Sequence, residues 1–150
     1  RRLQMKVNRG IGVCVFVLVL WAVAPAAGQH HAPVAPGARE TGAAALSRDL
    51  DQGKKILIID VRAPEEFNAG HIPGAVGIPI EELSKRIAEM KVSKDTTIVT
   101  VCDHGGRSSR AALELEKLGY KTSSFCRLDA WKKEGHRLEK AEEKAPPEHP

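Results

Sequence analysis

The sequence predicts an α/β domain built on a mostly parallel sheet. Two apolar runs rich in β-branched residues, 56–59 and 96–101, have the length and continuity of strands buried on both faces. They alternate with helical patterns, the order of β-α-β units. The second run delivers Cys102, and Gly105, Gly106 and a new helical pattern follow at once. Beyond the C-terminal end of a strand is where parallel sheets place their ligands.

Each element has its own signal. Residues 43–50 read as a short helix with Ala44, Ala45, Leu46 and Leu50 on one side. Residues 56–59 form the first strand, ended by Asp60, and 75–78 form a short strand between Gly74 and Pro79. Ile80, Leu83, Ile87 and Met90 repeat at helical spacing and give one apolar stripe. Residues 96–101 are the central strand. The next helix is expected over 108–118, with Ala111, Ala112, Leu115 and Leu118 toward the sheet and Gly119 as its stop. A weaker strand over 122–126 and a final helix beginning at 130–134 complete the series.

Cys102 is the candidate nucleophile. A thiol attacks as its thiolate, and helix N-termini and cations favour that form. A helix starting near Arg107 or Ser108 offers unpaired N–H groups and a partial positive charge. Gly105 and Gly106 let the backbone curl inward as an anion nest, and Arg107 adds a permanent cation. Ser108 or Ser109 can cap the helix. Without this context, a Cys ending a buried strand is an inert apolar residue.

The run Cys102-Asp103-His104-Gly105-Gly106-Arg107-Ser108 resembles the active-site loop of rhodanese-like domains. A second block agrees: Asp60-Val61-Arg62, then Glu66-Phe67, then Gly70-His71-Ile72-Pro73-Gly74-Ala75. Trp131 and Gly135 resemble the family's C-terminal Trp and Gly. The resemblance covers about residues 41–140. It implies a mostly parallel five-stranded sheet with helices on both faces. It also implies a cysteine that accepts a sulfane sulfur as a persulfide and passes it to a thiol or cyanide, with no cofactor or metal. Four residues separate Cys102 from Arg107. The phosphatase and arsenate reductase relatives have a longer loop, so phosphatase chemistry is disfavoured. The chain departs from the pattern at Asp103, where members acting on thiosulfate often carry Arg or Lys. A carboxylate there opposes both a thiolate and an anionic donor. The Gly-Gly pair that usually precedes the Trp is also replaced, by Cys126-Arg127-Leu128-Asp129-Ala130.

The remaining candidates divide into structural and chemical readings. Asp60, Arg62 and Glu66 are read as structural, with Arg62 pairing Glu66 to fix the loop after the first strand. His71 is expected to organise its turn, and Trp131 to anchor the core. His104 lies inside the loop and either guides substrate or faces solvent. Cys126 falls near the end of the strand expected beside that of Cys102. Adjacent strands lie about 4.8 Å apart, and a disulfide needs Cα atoms within about 7 Å. Cys126 is therefore either a redox partner of Cys102, in a disulfide-exchange or sulfide- or oxyanion-binding module, or a buried space-filler.

Outside the domain, residues 1–27 have the basic start, apolar stretch and small-residue exit of a secretory signal peptide. Its 14-residue apolar run, 11–24, is short for a membrane span, which takes roughly 17–25 residues. The expectation is export to a bacterial periplasm, with an uncleaved anchor as the alternative and the only membrane contact. The four basic residues there (Arg1, Arg2, Lys6 and Arg9) account for the whole excess of 23 Lys plus Arg over 19 Asp plus Glu. The remainder is formally neutral, which argues against nucleic acid as a partner. Residues 28–40, rich in Pro, Ala and His, are expected to be a linker, and 141–150 a disordered tail.

Overall fold

The computed structural model describes residues 32–120 and 123–140. Five helices and four strands alternate along these residues: α1 (Ala43–Asp51), β1 (Ile56–Asp60), α2 (Pro64–Ala69), β2 (Val76–Gly77), α3 (Leu83–Glu89), β3 (Thr97–Cys102), α4 (Gly106–Lys117), β4 (Ser123–Arg127) and α5 (Leu128–Lys133). A single 3-10 turn, Ile80–Glu82, leads into α3. All pairings within the sheet are parallel, in the order β2-β1-β3-β4.

The expected fifth strand is reduced to one parallel bridge, Glu40 with Phe125, on the outer edge of β4. Two backbone bonds make it: Phe125 N–H to the Arg39 carbonyl (2.9 Å) and Thr41 N–H to the Phe125 carbonyl (2.8 Å). Pairing cannot extend because α1 begins at Ala43. On the other side, Gly37 has a φ of +85°, which turns the backbone out of extended geometry.

Strand periodicity divides the core in two. Ile59, Ile98 and Cys102 point to one face, where Leu83 and Ile87 of α3 and Ala111 and Leu115 of α4 cover them. Ile58, Val99, Val101 and Cys126 point to the other, against Ala43 and Leu46 of α1 and Leu128 and Trp131 of α5. Successive side chains of a strand alternate faces, so a sheet with buried apolar residues on both faces needs helices on both sides.

Several helical boundaries differ from the periodic reading. In α1 the buried stripe is Ala43, Leu46 and the partly buried Leu50, while Ala44 is exposed. Met90 and Leu118 stand 39% and 41% exposed rather than completing their stripes. Both follow the last residue of their helix, where the chain turns away from the sheet. The α4 helix begins two residues earlier than expected, at Gly106. Helix α2 was not legible from periodicity because it has only six residues and buries none of them. Its start is nonetheless written locally: Pro64 occupies the first turn, and the Glu66 carboxylate accepts the Ala63 N–H at 2.9 Å.

The C-terminal segment closes the structure. Trp131 is buried, and its Nε1–H donates to the Arg137 carbonyl at 2.8 Å. Beyond it, His71 and Glu139 exchange backbone hydrogen bonds at 2.8 and 2.9 Å in an antiparallel bridge. Trp131→Ala is expected to cost about 3–5 kcal/mol, as for other buried aromatic truncations, and to free this segment. Urea unfolding and amide exchange at His71 and Glu139 check it; protection unchanged from wild type contradicts the anchoring role.

Candidate active site

Three chain segments converge at the C-terminal ends of β1 and β3. The first is 60–62, the second α2 with Gly70, and the third the loop from Cys102 into α4.

Cys102 is the last residue of β3 and is 2% exposed. Its Sγ receives the Ser108 backbone N–H at 3.3 Å and lies 3.2 Å from the Ser108 hydroxyl. That hydroxyl also reaches the Gly105 carbonyl, at 3.3 Å. The sulfur is therefore seated on the first turn of α4, where backbone N–H groups lack partners within the helix and the dipole favours negative charge. The hydroxyl can accept from a thiol or donate to a thiolate.

The loop glycines are required by what lies behind them. Gly105 caps α4 with a φ of +92°, and a Cβ there would stand 3.1 Å from both Phe125 and Val34. At Gly106 a Cβ would fall 2.0 Å from the Ala32 carbonyl oxygen, a backbone atom. The Ala35 N–H also donates to Ser109 Oγ, at 2.8 Å. Residues 32–35 thus form the back wall of the loop, in a stretch that composition alone reads as linker. A glycine pair in a turn does not reveal such a neighbour.

A web of ion pairs fixes the front. Asp60 and Arg62 are both buried, and the guanidinium grips the carboxylate through Nε (2.9 Å) and Nη2 (2.7 Å). Arg62 Nη2 also donates to the Gly70 carbonyl at 2.7 Å, and Nη1 to Asp103 at 3.3 Å. The expected Arg62–Glu66 pair gives way to this arrangement, because Asp60 is two residues away with its carboxylate already buried. Glu66 pairs instead with Arg107, as two parallel bonds of 2.7 and 2.8 Å. Arg107 Nη2 reaches Asp103 as well, at 3.2 Å. Asp103 therefore links the two arginines.

The electrostatics follow from these bonds. The Arg107 guanidinium holds the Glu66 carboxyl down at about 2, and the Ala63 N–H assists against partial burial. Arg107 is raised in turn, chiefly by its bond to Glu66. Arg62 is also raised: burial opposes its charge, but the Asp60 bond and charge outweigh it. The cation expected to serve the cysteine is thus already engaged by carboxylates.

The outer loop is tied to α5. The Asp129 N–H donates to the Asp103 carbonyl at 3.0 Å, and His104 Nδ1 lies 3.1 Å from the Asp129 carboxylate. Burial disfavours the Asp129 charge, but bonds from His104 and the Ala130 N–H prevail and lower its pKa. His71 is nearly buried; its ring stacks on Phe67 at 3.8 Å and its Nδ1 meets the Phe67 carbonyl at 3.0 Å. It holds the turn after α2 rather than facing Cys102.

Cys126 is placed differently from the redox-partner expectation. In the parallel register Cys126 lies opposite Val101, while Cys102 lies opposite Arg127. One residue of offset sends the two thiols to opposite faces of the sheet. Cys102 packs with the α3 and α4 core, Cys126 with the α1 and α5 core, and both are free thiols. Burial pushes the Cys126 thiol up to about 12. Among the described residues no group of His, Cys, Asp and Glu is arranged to hold a metal ion.

Comparison with known proteins agrees with this geometry. The family model described as Rhodanese-like domain matches residues 42–133. The chain is 35% identical over 94 residues to the putative sulfur carrier protein YrkF of Bacillus subtilis, covering 63% of this chain and 50% of that protein. It is 39% identical over 62 residues to the thiosulfate sulfurtransferase PspE of Escherichia coli, covering 41% of this chain and 60% of that protein. The chain thus spans about half to three-fifths of these relatives. The solution structure of the rhodanese-like domain of Alr3790 from Anabaena superposes with a TM-score of 0.63 at 30% identity, covering 74% of this chain and 86% of that one.

Two measurements test the site. Glu66 titrates below its ordinary value when folded, so the pair stabilises the protein fully above about pH 4.5 and loses that effect as pH falls toward about 2. The stability margin of wild type over Glu66→Gln should therefore shrink across that interval; a margin independent of pH contradicts it. Alkylation of the native protein at pH 8 should leave Cys126 unmodified until the chain unfolds, as read by peptide mapping. Modification of Cys126 in the folded state would contradict its assignment as an inert core thiol.

Proposed function

The chain belongs to the rhodanese-like domain family, and from that membership we propose that it is a sulfurtransferase working through a Cys102 persulfide. The Cys102 thiolate attacks the outer, sulfane sulfur of a donor. The donor's S–S or S–S(O) linkage breaks, and its carrier leaves with the bonding electron pair. The transferred sulfur now terminates a persulfide on Cys102. A thiol or cyanide then attacks that outer sulfur and regenerates the Cys102 thiolate. Sulfur passes between carriers, so no external oxidant or reductant is consumed.

The observation that carries this reading is the seat of Cys102 Sγ at the start of α4, with the Ser108 N–H donating to it. Such donors favour negative charge on sulfur, whether thiolate or persulfide. Gly105 and Gly106 permit the tight entry into the helix. The same-site redox alternative with Cys126 finds no support in the register of β3 and β4. We further propose that the protein is exported, on the strength of the signal-like residues 1–27, which lie outside the described residues.

Incubation with thiosulfate, polysulfide or glutathione persulfide should add one sulfur mass to Cys102, seen by intact mass and peptide mapping. Cys102→Ser should not gain it, whereas Cys126→Ala should. Cyanide should then remove the added sulfur. No loading by any of the three donors would sink the proposal.

A further inference from the structure

We propose that Asp103 and Glu66 set the charge class of the sulfur donor, selecting a persulfide on a positively charged carrier over one on an anionic carrier. This rests on the sulfur-transfer reading above and names its substrate class.

Two guanidiniums border the cysteine loop, and three carboxylates hold them. Glu66 takes Arg107 through both oxygens. Asp60 takes Arg62 through both of its own. Asp103 then accepts from each arginine, at 3.3 and 3.2 Å. The cluster therefore carries one more negative charge than positive before Cys102 ionises. Asp103 is the residue immediately after the nucleophile, and its side chain is partly exposed, so its charge is open to solvent next to Cys102.

Farther out, two charges sit in pairs and Arg110 adds one cation a turn along α4, leaving Asp103 as the charge next to the nucleophile. Arg127, whose side chain lies beside Gly105, is paired with Glu40 at 2.9 Å. His104 is paired with Asp129. Arg110 is exposed and donates through Nε to the Gly106 carbonyl at 3.3 Å. An anionic carrier thus meets, beside the nucleophile, a carboxylate in a web whose acids outnumber its arginines, while an ammonium-bearing carrier meets a partner.

The chemistry is the same for either carrier. Cys102–SH and R–S–SH become Cys102–S–SH and R–SH. Cys102 sulfur bonds to the outer sulfur, the S–S bond of the donor breaks, and the R–S fragment keeps the electron pair and ends with the proton. Only the charge on R distinguishes the substrates.

The test compares two donors of similar size, cysteamine persulfide and 3-mercaptopropionate persulfide, by kcat/KM for persulfide formation on the full chain. The wild type should favour the cysteamine carrier, and raising salt should erode that preference. Asp103→Asn keeps the side chain's shape and an oxygen acceptor for one of the two arginines, and removes the charge. It should lower the cysteamine-to-mercaptopropionate ratio by about tenfold, the order expected for one partly screened charge at close range. A merely structural effect would lower both rates together and leave the ratio alone. A ratio unmoved by Asp103→Asn and by salt overturns the inference while leaving sulfur transfer intact. Failure of both persulfides to load Cys102 overturns the sulfur-transfer reading and this inference with it.

Discussion

The structure around Cys102 depends on one web of charge, Asp60–Arg62–Asp103–Arg107–Glu66. It joins the end of β1, the first turn of α2, the loop after β3 and the first turn of α4. Arg62 adds the Gly70 carbonyl, beyond the end of α2. A buried guanidinium tolerates loss of water only when its donors are occupied, and here they are. Breaking one link would leave charge stranded among apolar neighbours. The web therefore holds the loop that carries the nucleophile in one place.

The same web makes the site's electrostatics differ from what its residue types suggest. Arg107 follows the cysteine loop and invites assignment as the cation that serves the sulfur. Its two strongest partners are the oxygens of Glu66, far away in sequence. What bonds the sulfur directly is Ser108, through its backbone N–H and its hydroxyl, with the dipole of α4 behind it. Gly105 and Gly106 let the helix begin directly beneath the sulfur, while residues 32–35 close the space behind them.

Strand geometry governs the second cysteine. Cys102 ends β3 and Cys126 lies one residue before the end of the neighbouring parallel strand β4, so proximity of backbone is assured. Period-two alternation nevertheless assigns them to different cores. Pairing between adjacent strands brings side chains together only when they share a face. Their separation is a consequence of a register offset of one residue, which no spacing along the chain discloses.

The sequence by itself determined the alternation of strands and helices, the parallel sheet, the position of Cys102 at a strand end, and the glycine entry into α4. These are local properties, written in apolar periodicity, β-branched runs and turn residues. The first and last turns of the helices were less legible, because Met90 and Leu118 continue an apolar stripe past the point where the chain leaves the sheet. Only the tertiary structure decided which acid takes which arginine, that residues 32–35 back the loop, that a single bridge at Glu40 stands in place of a fifth strand, and that Cys126 faces away from Cys102. Each of these is a contact between segments distant in sequence. Such contacts depend on strand register and on the space left by packing, which residue type and spacing do not encode.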